Sequence, residues 1–483
     1  MIKELLKDAS IYGLSDFLFK AVSFLTFPIY AYLLSLEEFS VMSLVTTLVH
    51  FTGIFFNIGN INNSVQRYYW EGEGQNTKKL VVSTGLICLL TASVVLGGIF
   101  FALFVPLKTT LMVRYGMSFS VLLFAFLGGI LTNIFSFALN VLRLHFSPWR
   151  FFLLSVSLNA LMAGFSILFV FSFNLGIEGY FLGIVCAYAV FTPLALWAVN
   201  RDLGLCFDST LAKKMMLFSY PFIFMAINYW SLSSFDRWML AEMASLEEVG
   251  LYSVAFRFAT VINLFVAAFG QAFSPLALKN YSEKPSLFPH FMRQTFILWV
   301  LSLMGLWSVI SLFANVVLQF MLPEAYWGAS HSLIYLCLGT AVLGISQLTA
   351  FPITLAKKTQ LFNYASILAV VLNIILNWLW IPTYGAVGAA VASACSYAIV
   401  TFSYSIFSYF LPTRFPLDIK FLGIMIAYCA ATLFLLQSSI FQEIGWYSIA
   451  LKACYLGGFL ILAGFIIKQE KIVLSNTSLE IVS

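Results

Sequence analysis

Six titratable side chains interrupt the apolar runs of this chain: Asp16, Lys20, His50, Asp236, Arg237 and Arg257. A charge at mid-bilayer costs about 2.5–3.5 kcal/mol on insertion scales, so such residues face an interior and mark where polar cargo is handled. Three are basic, which suits an anion such as phosphate. Asp16 and Lys20 are four residues apart and share one helix face. Two readings stand for them. One is an internal ion pair that neutralises both. The other is a switch, in which an anion draws Lys20 away and leaves Asp16 to take up a proton. Asp236 and Arg237 are adjacent, so they point about 100° apart on a helix. Arg237 can snorkel to the interface or enter a cavity. Arg257 lies deeper and has less room to snorkel. His50 reads either as a hydrogen-bonded packing residue or as a proton carrier and neutral donor to phosphate. Asn57, Asn60, Asn62, Asn63, Gln66 and Arg67 form a polar cluster, either a solvated helix end or an entrance for a head group.

The elements that must position these residues are membrane spans. Of 483 residues, 61% are hydrophobic and 9% charged. A soluble domain carries about 25% charged residues. The composition excludes a soluble enzyme, a nucleic-acid binder and a disordered chain. A net charge of +5 is no nucleic-acid footprint here, because the basic residues lie between apolar runs. Fourteen runs are long enough to span, at 11–34, 40–60, 80–105, 119–142, 151–173, 179–199, 217–241, 250–274, 291–315, 332–356, 363–381, 387–411, 421–438 and 447–467. Their continuous apolarity predicts helices, since each backbone group must find its partner within the segment. The alternation of a β-barrel strand is absent from the sequence. The expected fold is all-α and polytopic.

Basic residues orient the spans. With the N-terminus in the cytoplasm, 19 of the 25 Lys and Arg fall on inside segments. The outside segments hold Lys108, Arg114 and Lys452, and the spans hold the other three. No outside loop is long enough to be a domain; the longest, near Val316–His331, has about 16 residues. Met1–Ser10 is short and mixed in charge, so no cleaved leader is expected.

The chain also repeats itself. Ser35-Leu36-Glu37-Glu38-Phe39-Ser40-Val41-Met42-Ser43 recurs 210 residues later as Ser245-Leu246-Glu247-Glu248-Val249-Gly250-Leu251-Tyr252-Ser253. Gly176-Ile177-Glu178-Gly179 precedes Cys186 and Tyr188 as Gly385-Ala386-Val387-Gly388 precedes Cys395 and Tyr397, an offset of 209. Two matches at nearly one offset point to duplication. Six spans is an even number, so the halves share one orientation, the parallel-repeat plan of transporters. The expected organisation is a six-helix bundle over 1–210, a second over 211–412, and an extra helix pair with a tail over 413–483. The seven cysteines include no C-x-x-C pair and read as small apolar residues. No metal site, cofactor site or P-loop is expected.

These residues resemble the bacterial polysaccharide flippases. Asp236-Arg237, then Gly250-Leu251-Tyr252-Ser253 and Arg257, look like the Asp-Arg and Gly-x-Tyr-Ser pattern of their spans 7 and 8. Gly59 through Val65-Gln66-Arg67-Tyr68 resembles their span 2 exit. Asn373, Asn377, Pro382, Gly385, Gly388, Ala389 and Ala390 resemble their span 11 to 12 corner. The resemblance covers spans 1 to 12. Fourteen spans are also similar to the lipid II flippases of the same superfamily, whose multidrug antiporters usually stop at twelve.

The resemblance implies a V-shaped pair of six-helix bundles with a central cavity exposed to each side in turn. It implies a polyprenyl-pyrophosphate-linked oligosaccharide as substrate, membrane lipid around it, and a polysaccharide polymerase with chain-length machinery as partners. It implies a bacterial inner membrane with both termini cytoplasmic. Lys20 and Arg257 fall at cationic cavity positions of such flippases, with Arg237 and His50 as further anion-binding candidates. Asp16 and Asp236 are candidates for coupling or ion pairing. Asn63, Gln66 and Arg67 would form the entrance. The basic residue often found inside span 2 is missing, and His50 is the nearest substitute. Lipid II transport and cation antiport are the alternatives. An antiporter wants exposed cavity carboxylates, and both carboxylates here have a basic neighbour. A membrane enzyme would want a large outer loop.

The charge bias makes a direct prediction. Reporter fusions at Lys78, Arg150, Lys213, Lys284 and Lys357 will read cytoplasmic, and fusions at Glu38, Arg114, Glu247 and Glu324 will read outside. One inversion within the series would break both the span count and the repeat.

Overall fold

In a computed structural model, the backbone is described over 2–71, 74–411 and 418–482, and side chains over 11–15, 17–71, 74–411, 418–441 and 443–469. The carboxylate of Asp16 lies outside the described residues. Every regular element among the described residues is a helix, as the apolar runs require.

By packing, the chain divides into two units, Met1–Gly250 and Leu251–Ser483. The first holds α1 (Ile2–Leu33), α2 (Leu36–Phe56), α3 (Ile61–Glu71), α4 (Gln75–Tyr115), α5 (Phe119–Leu144), α6 (Pro148–Phe171), α7 (Gly176–Ala198) and α8 (Ser209–Met243). α6 packs on α1 and α7, α5 on α7, and α8 on α2, α3 and α4. The second unit holds most of α9 (Leu246–Glu283), then α10 (Phe288–Leu312), α11 (Ala314–Met321), α12 (Ala329–Thr349), α13 (Phe351–Leu355), α14 (Gln360–Tyr409), α15 (Ile419–Leu436), α16 (Ser439–Gln442) and α17 (Trp446–Val482). There α12 packs on α10 and α14, and α10 on α15 and α17.

Thirteen helices among the described residues are long and apolar enough to cross a membrane. α14 accounts for two of the predicted spans. Its 50 residues would reach roughly 75 Å as a straight helix, far more than the ~30 Å of a hydrocarbon core. The helix breaks at Gly385 (φ 52°, ψ −132°), three residues after Pro382. Both predicted spans of this stretch therefore exist, joined without a loop.

The repeats have a structural basis. Ser35 caps α2: its Oγ accepts the Glu38 N–H at 3.2 Å, and the Glu38 carboxylate accepts the Ser35 N–H at 2.9 Å. This capping box satisfies two donors that the helix cannot reach. Ser245 likewise accepts the Glu248 N–H at 3.3 Å at the start of α9. Gly176 and Gly385 both have φ of +52°, a region that side chains avoid. Three residues on, a Cβ at Gly179 would meet the Phe169 carbonyl carbon at 2.9 Å, and one at Gly388 the Trp380 oxygen at 2.5 Å. The repeated glycines thus make the same tight corner twice.

A Cβ at Gly128 or Gly129 would meet Ile184 or Val49, so these two glycines serve close packing, while Gly98, Gly457 and Gly458 face open space. Lys452 lies within α17 and is fully buried in the protein. The expected loop near Val316–His331 contains the end of α11 and a short 3-10 turn.

One end of the first unit is tied together by a residue the sequence did not flag. Asp202, in a 3-10 turn after α7, is 1% exposed. Its carboxylate accepts hydrogen bonds from Tyr69 Oη at 3.1 Å, from Gln75 and from the His145 imidazole. Three helices, α3, α4 and α5, thereby meet on one carboxylate. Burial works against the charge, but the His145 hydrogen bond and charge, with the Tyr69 and Gln75 bonds, outweigh it and hold the pKa below the ordinary value. A depressed folded-state pKa gives stability that is present above the unfolded value of about 3.8 and is lost as pH falls through the folded one. Asp202→Asn will therefore destabilise the detergent-solubilised protein by about 2 kcal/mol at neutral pH, the range of a charged hydrogen bond. The gap from wild type, followed by thermal unfolding, will hold steady from neutral pH downward and close only in the acid range below that value.

Candidate functional site

Two helices that carry candidate residues, α2 and α8, pack on each other within the first unit. Thr47 on α2 is the junction. Its hydroxyl donates to the Leu44 carbonyl at 2.7 Å and accepts Trp238 Nε1–H at 2.9 Å. Its carbonyl accepts Trp230 Nε1–H at 2.8 Å. Phe51, one turn along, packs on the Trp230 ring at 4.7 Å. Two indoles therefore clamp α8 to α2, each burying an apolar ring and satisfying its N–H. Sequence reasoning missed this clamp, because Thr47, Trp230 and Trp238 look like ordinary span residues.

Arg237 sits inside this arrangement. It is 6% exposed, so it does not snorkel to an interface. Nη1–H donates to the Ser233 carbonyl one turn back, at 2.9 Å. His50, exposed on α2, lies within electrostatic reach of the guanidinium. Asp236, 1% exposed, is fully inside the protein beside it in sequence. A buried guanidinium can donate to an oxyanion through several N–H groups.

The remaining candidates sit on other helices. Lys20 is exposed on α1, where Asn159 Nδ2 of α6 donates to the neighbouring Phe19 carbonyl at 2.7 Å. This bond fixes the backbone that carries the lysine. Arg257, on α9 in the second unit, is half-buried, and its carbonyl accepts the Thr260 hydroxyl. Tyr252, one turn before, is buried and hydrogen-bonds with Ser393 at 3.1 Å.

The polar cluster after span 2 is an elbow. Ile58 (φ 50°) and Gly59 (φ 77°) are both left-handed and turn α2 into α3. A Cβ at Gly59 would stand 2.7 Å from the Ile223 nitrogen of α8, so glycine is needed for conformation and space alike. Ser64 donates to the Met215 carbonyl at 2.8 Å and bonds with Ser219 at 2.6 Å, tying α3 to α8 as well. Of the expected entrance residues, Asn63 is half-buried while Gln66 and Arg67 are exposed. Arg67 pairs with Glu71 at 3.1 Å and stacks 4.7 Å above the Phe218 ring of α8. No three His, Cys, Asp or Glu side chains group as metal ligands among the described residues.

This architecture has known counterparts. The family model described as polysaccharide biosynthesis protein matches residues 5–281, and the MatE model matches 221–379. The probable low-salt glycan biosynthesis flippase Agl15 of Haloferax volcanii is 25% identical over 232 residues, 45% of this chain and 48% of that protein. The chain thus spans about half the length of this curated relative. Among solved structures, the lipid II flippase MurJ is similar with a TM-score of 0.72 at 16% identity, over 95% of this chain and 99% of that one. A multidrug resistance MATE family transporter is similar with a TM-score of 0.61 at 14% identity, over 83% and 94%. At such identities the likeness is one of fold. Because the polysaccharide biosynthesis model covers more than half of its length, the chain belongs to that family.

Proposed function

We propose that this multi-pass membrane protein flips a polyprenyl-pyrophosphate-linked oligosaccharide from the cytoplasmic to the outer leaflet of a bacterial inner membrane, with both termini in the cytoplasm. The observation that carries this reading is the intramembrane charge set, basic in balance, with Arg237 buried and within electrostatic reach of His50. A pyrophosphate brings about two negative charges, which are very costly in hydrocarbon unless paired. Lys20, Arg237 and Arg257 offset that cost with charge-assisted hydrogen bonds, and His50 adds a donor. Asn63, Gln66 and Arg67 receive the head group at the elbow. The glycan crosses in a polar path while the prenyl tail stays in lipid.

The repeats over 1–210 and 211–412 act as the two halves of an alternating-access carrier, with 413–483 outside the repeat. Outward movement of an anion follows an inside-negative potential, which contributes about 2.3 kcal/mol per charge per 100 mV. Asp16 and Asp236 then balance the cationic site when it is empty. A polysaccharide polymerase with its chain-length machinery consumes the product. The name of the Haloferax relative, a glycan biosynthesis flippase, supports this substrate class over lipid II and over a cationic drug.

Reconstituted vesicles test the reading. Flipping of a polyprenyl-pyrophosphate oligosaccharide will exceed that of lipid II, and no proton-driven efflux of a cationic dye will occur. Lys20→Ala and Arg257→Ala will each slow flipping about 10- to 100-fold, the equivalent of one charged hydrogen bond. Lys20→Arg and Arg257→Lys will retain part of the rate. Wild-type rates in both alanine variants, at equal protein levels, would remove these residues from the mechanism.

A further inference from the structure

One surface of the first unit lies where α3 ends, α4 begins and α5 ends. Trp70 is 54% exposed there and Phe146 67% exposed, with their ring centres 6.2 Å apart. Lys78 Nζ lies 4.8 Å from the centre of the Trp70 ring and 5.0 Å from that of Tyr69. Those two rings meet edge to face at 5.1 Å, so the ammonium is seated in the angle between them. Among the described residues no carboxylate pairs with Lys78.

Two features hold this surface in place. The Asp202 carboxylate accepts hydrogen bonds from Tyr69, the residue before Trp70, and from His145, the residue before Phe146. One buried group therefore fixes both aromatic segments. The second feature is the corner that presents Phe146. It ends α5 in a Schellman turn: Phe146 N–H donates to the Arg143 carbonyl at 3.0 Å, and Ser147 N–H to the Leu142 carbonyl at 3.2 Å. Such a turn needs a left-handed residue, and Phe146 supplies it with a φ of 50°. Glycine would do so without strain. The chain instead carries a phenylalanine there, strained in its backbone and largely exposed in its side chain, which points to a use for the ring on the surface.

Whatever covers the rings must bring both an apolar body and a negative charge. A free phosphate ion would answer Lys78 and leave the rings bare. A neutral sugar would cover the rings and leave the charge. A second copy of this surface, related by a two-fold axis, would set cation against cation. A pyrophosphate carries about two negative charges. One ammonium is seated here, and Arg67 on the same helix is already paired with Glu71. We propose that Trp70, Phe146 and Lys78 bind one monoanionic phospholipid of the phosphatidylglycerol class, with its phosphodiester on Lys78 and its glycerol and upper acyl region on the rings. Helix ends stand at the level of lipid head groups, where amphipathic rings are favoured. The orientation proposed for the chain places this lipid in the inner leaflet, and the site is independent of the transported substrate.

Binding to the folded state alone raises thermal stability with ligand concentration. The full-length protein, purified in a neutral detergent, is titrated with dioleoylphosphatidylglycerol while thermal unfolding is followed. The midpoint will rise saturably, and equal additions of dioleoylphosphatidylcholine or of inorganic phosphate will not raise it. Lys78→Gln will raise the half-saturating fraction of phosphatidylglycerol about fivefold, the effect of one basic group beside anionic lipid. Lys284→Gln, which removes a lysine in the second unit, will leave that fraction unchanged. Phe146→Gly separates lipid contact from folding. Relief of the left-handed strain will keep the lipid-free midpoint at or above wild type, while loss of the ring will raise the half-saturating fraction. Should Lys78→Gln fail to fold, Phe146→Gly decides. A wild type with no saturable shift specific to phosphatidylglycerol would overturn the proposal. So would an unchanged response in Lys78→Gln or Phe146→Gly, or an equal loss in Lys284→Gln. A lower half-saturating fraction for polyprenyl pyrophosphate than for phosphatidylglycerol would also overturn it and assign the surface to the substrate.

Discussion

A peptide group left without a partner in hydrocarbon costs several kcal/mol, so each apolar run must close its own hydrogen bonds as a helix. That requirement governs what else the chain can do. Corners become the difficult places, because a helix end leaves donors and acceptors open. The chain meets the difficulty with Ser35 and Glu38, with Ser118 at α5, and with Asp208 and Asp418 at α8 and α15. Where no cap is at hand, as at Gly385, two spans join through a single left-handed residue. Side chains obey the same rule: indole N–H groups go to backbone oxygens, as Trp230, Trp299 and Trp307 show.

What the sequence makes legible follows from this. Span positions are legible because the constraint acts on every residue of a span. The repeat is legible because its matched residues, a serine with a glutamate three on and a glycine with a glycine three on, are those whose chemistry the corners demand. Packing partners are another matter. Lys452 counts as an outside charge in the basic-residue pattern, and only the fold shows it fully buried with its ammonium on the Glu443 carbonyl. Asp202 reads as one charge in a polar linker, and only the fold shows Tyr69, Gln75 and His145 converging on it. Gly457 and Gly458 look like a packing motif and touch nothing. Each of these depends on which face a neighbouring helix covers, and periodicity within one nearly all-apolar helix carries no such information.

The candidate site divides the same way. Charge type could be read, since charges within apolar runs are too costly to be incidental. The burial of Arg237 could not, because it depends on α8 lying against α2. The two indoles on Thr47 and the serine pair between α3 and α8 set that contact at two levels. α8 therefore packs with the first unit, although the repeat counts it as the first span of the second half. Its counterpart α1 packs on α6 instead.

The difference between the halves extends to the charges themselves. At an offset of 210, Lys20 corresponds to Trp230, His50 to Thr260, Asp236 to Thr26, Arg237 to Phe27 and Arg257 to Thr47. Not one intramembrane charge is repeated, whereas the capping serines, the glutamates and the corner glycines are. The residues that close a corner answer to a physical demand that is identical in both halves, so both halves keep them. The intramembrane charges answer to no such shared demand, and each stands in one half alone. Two of the counterpart residues, Trp230 and Thr47, join α8 to α2 beside Arg237. In one half the position carries a cation, and in the other it builds the wall against which a cation is buried.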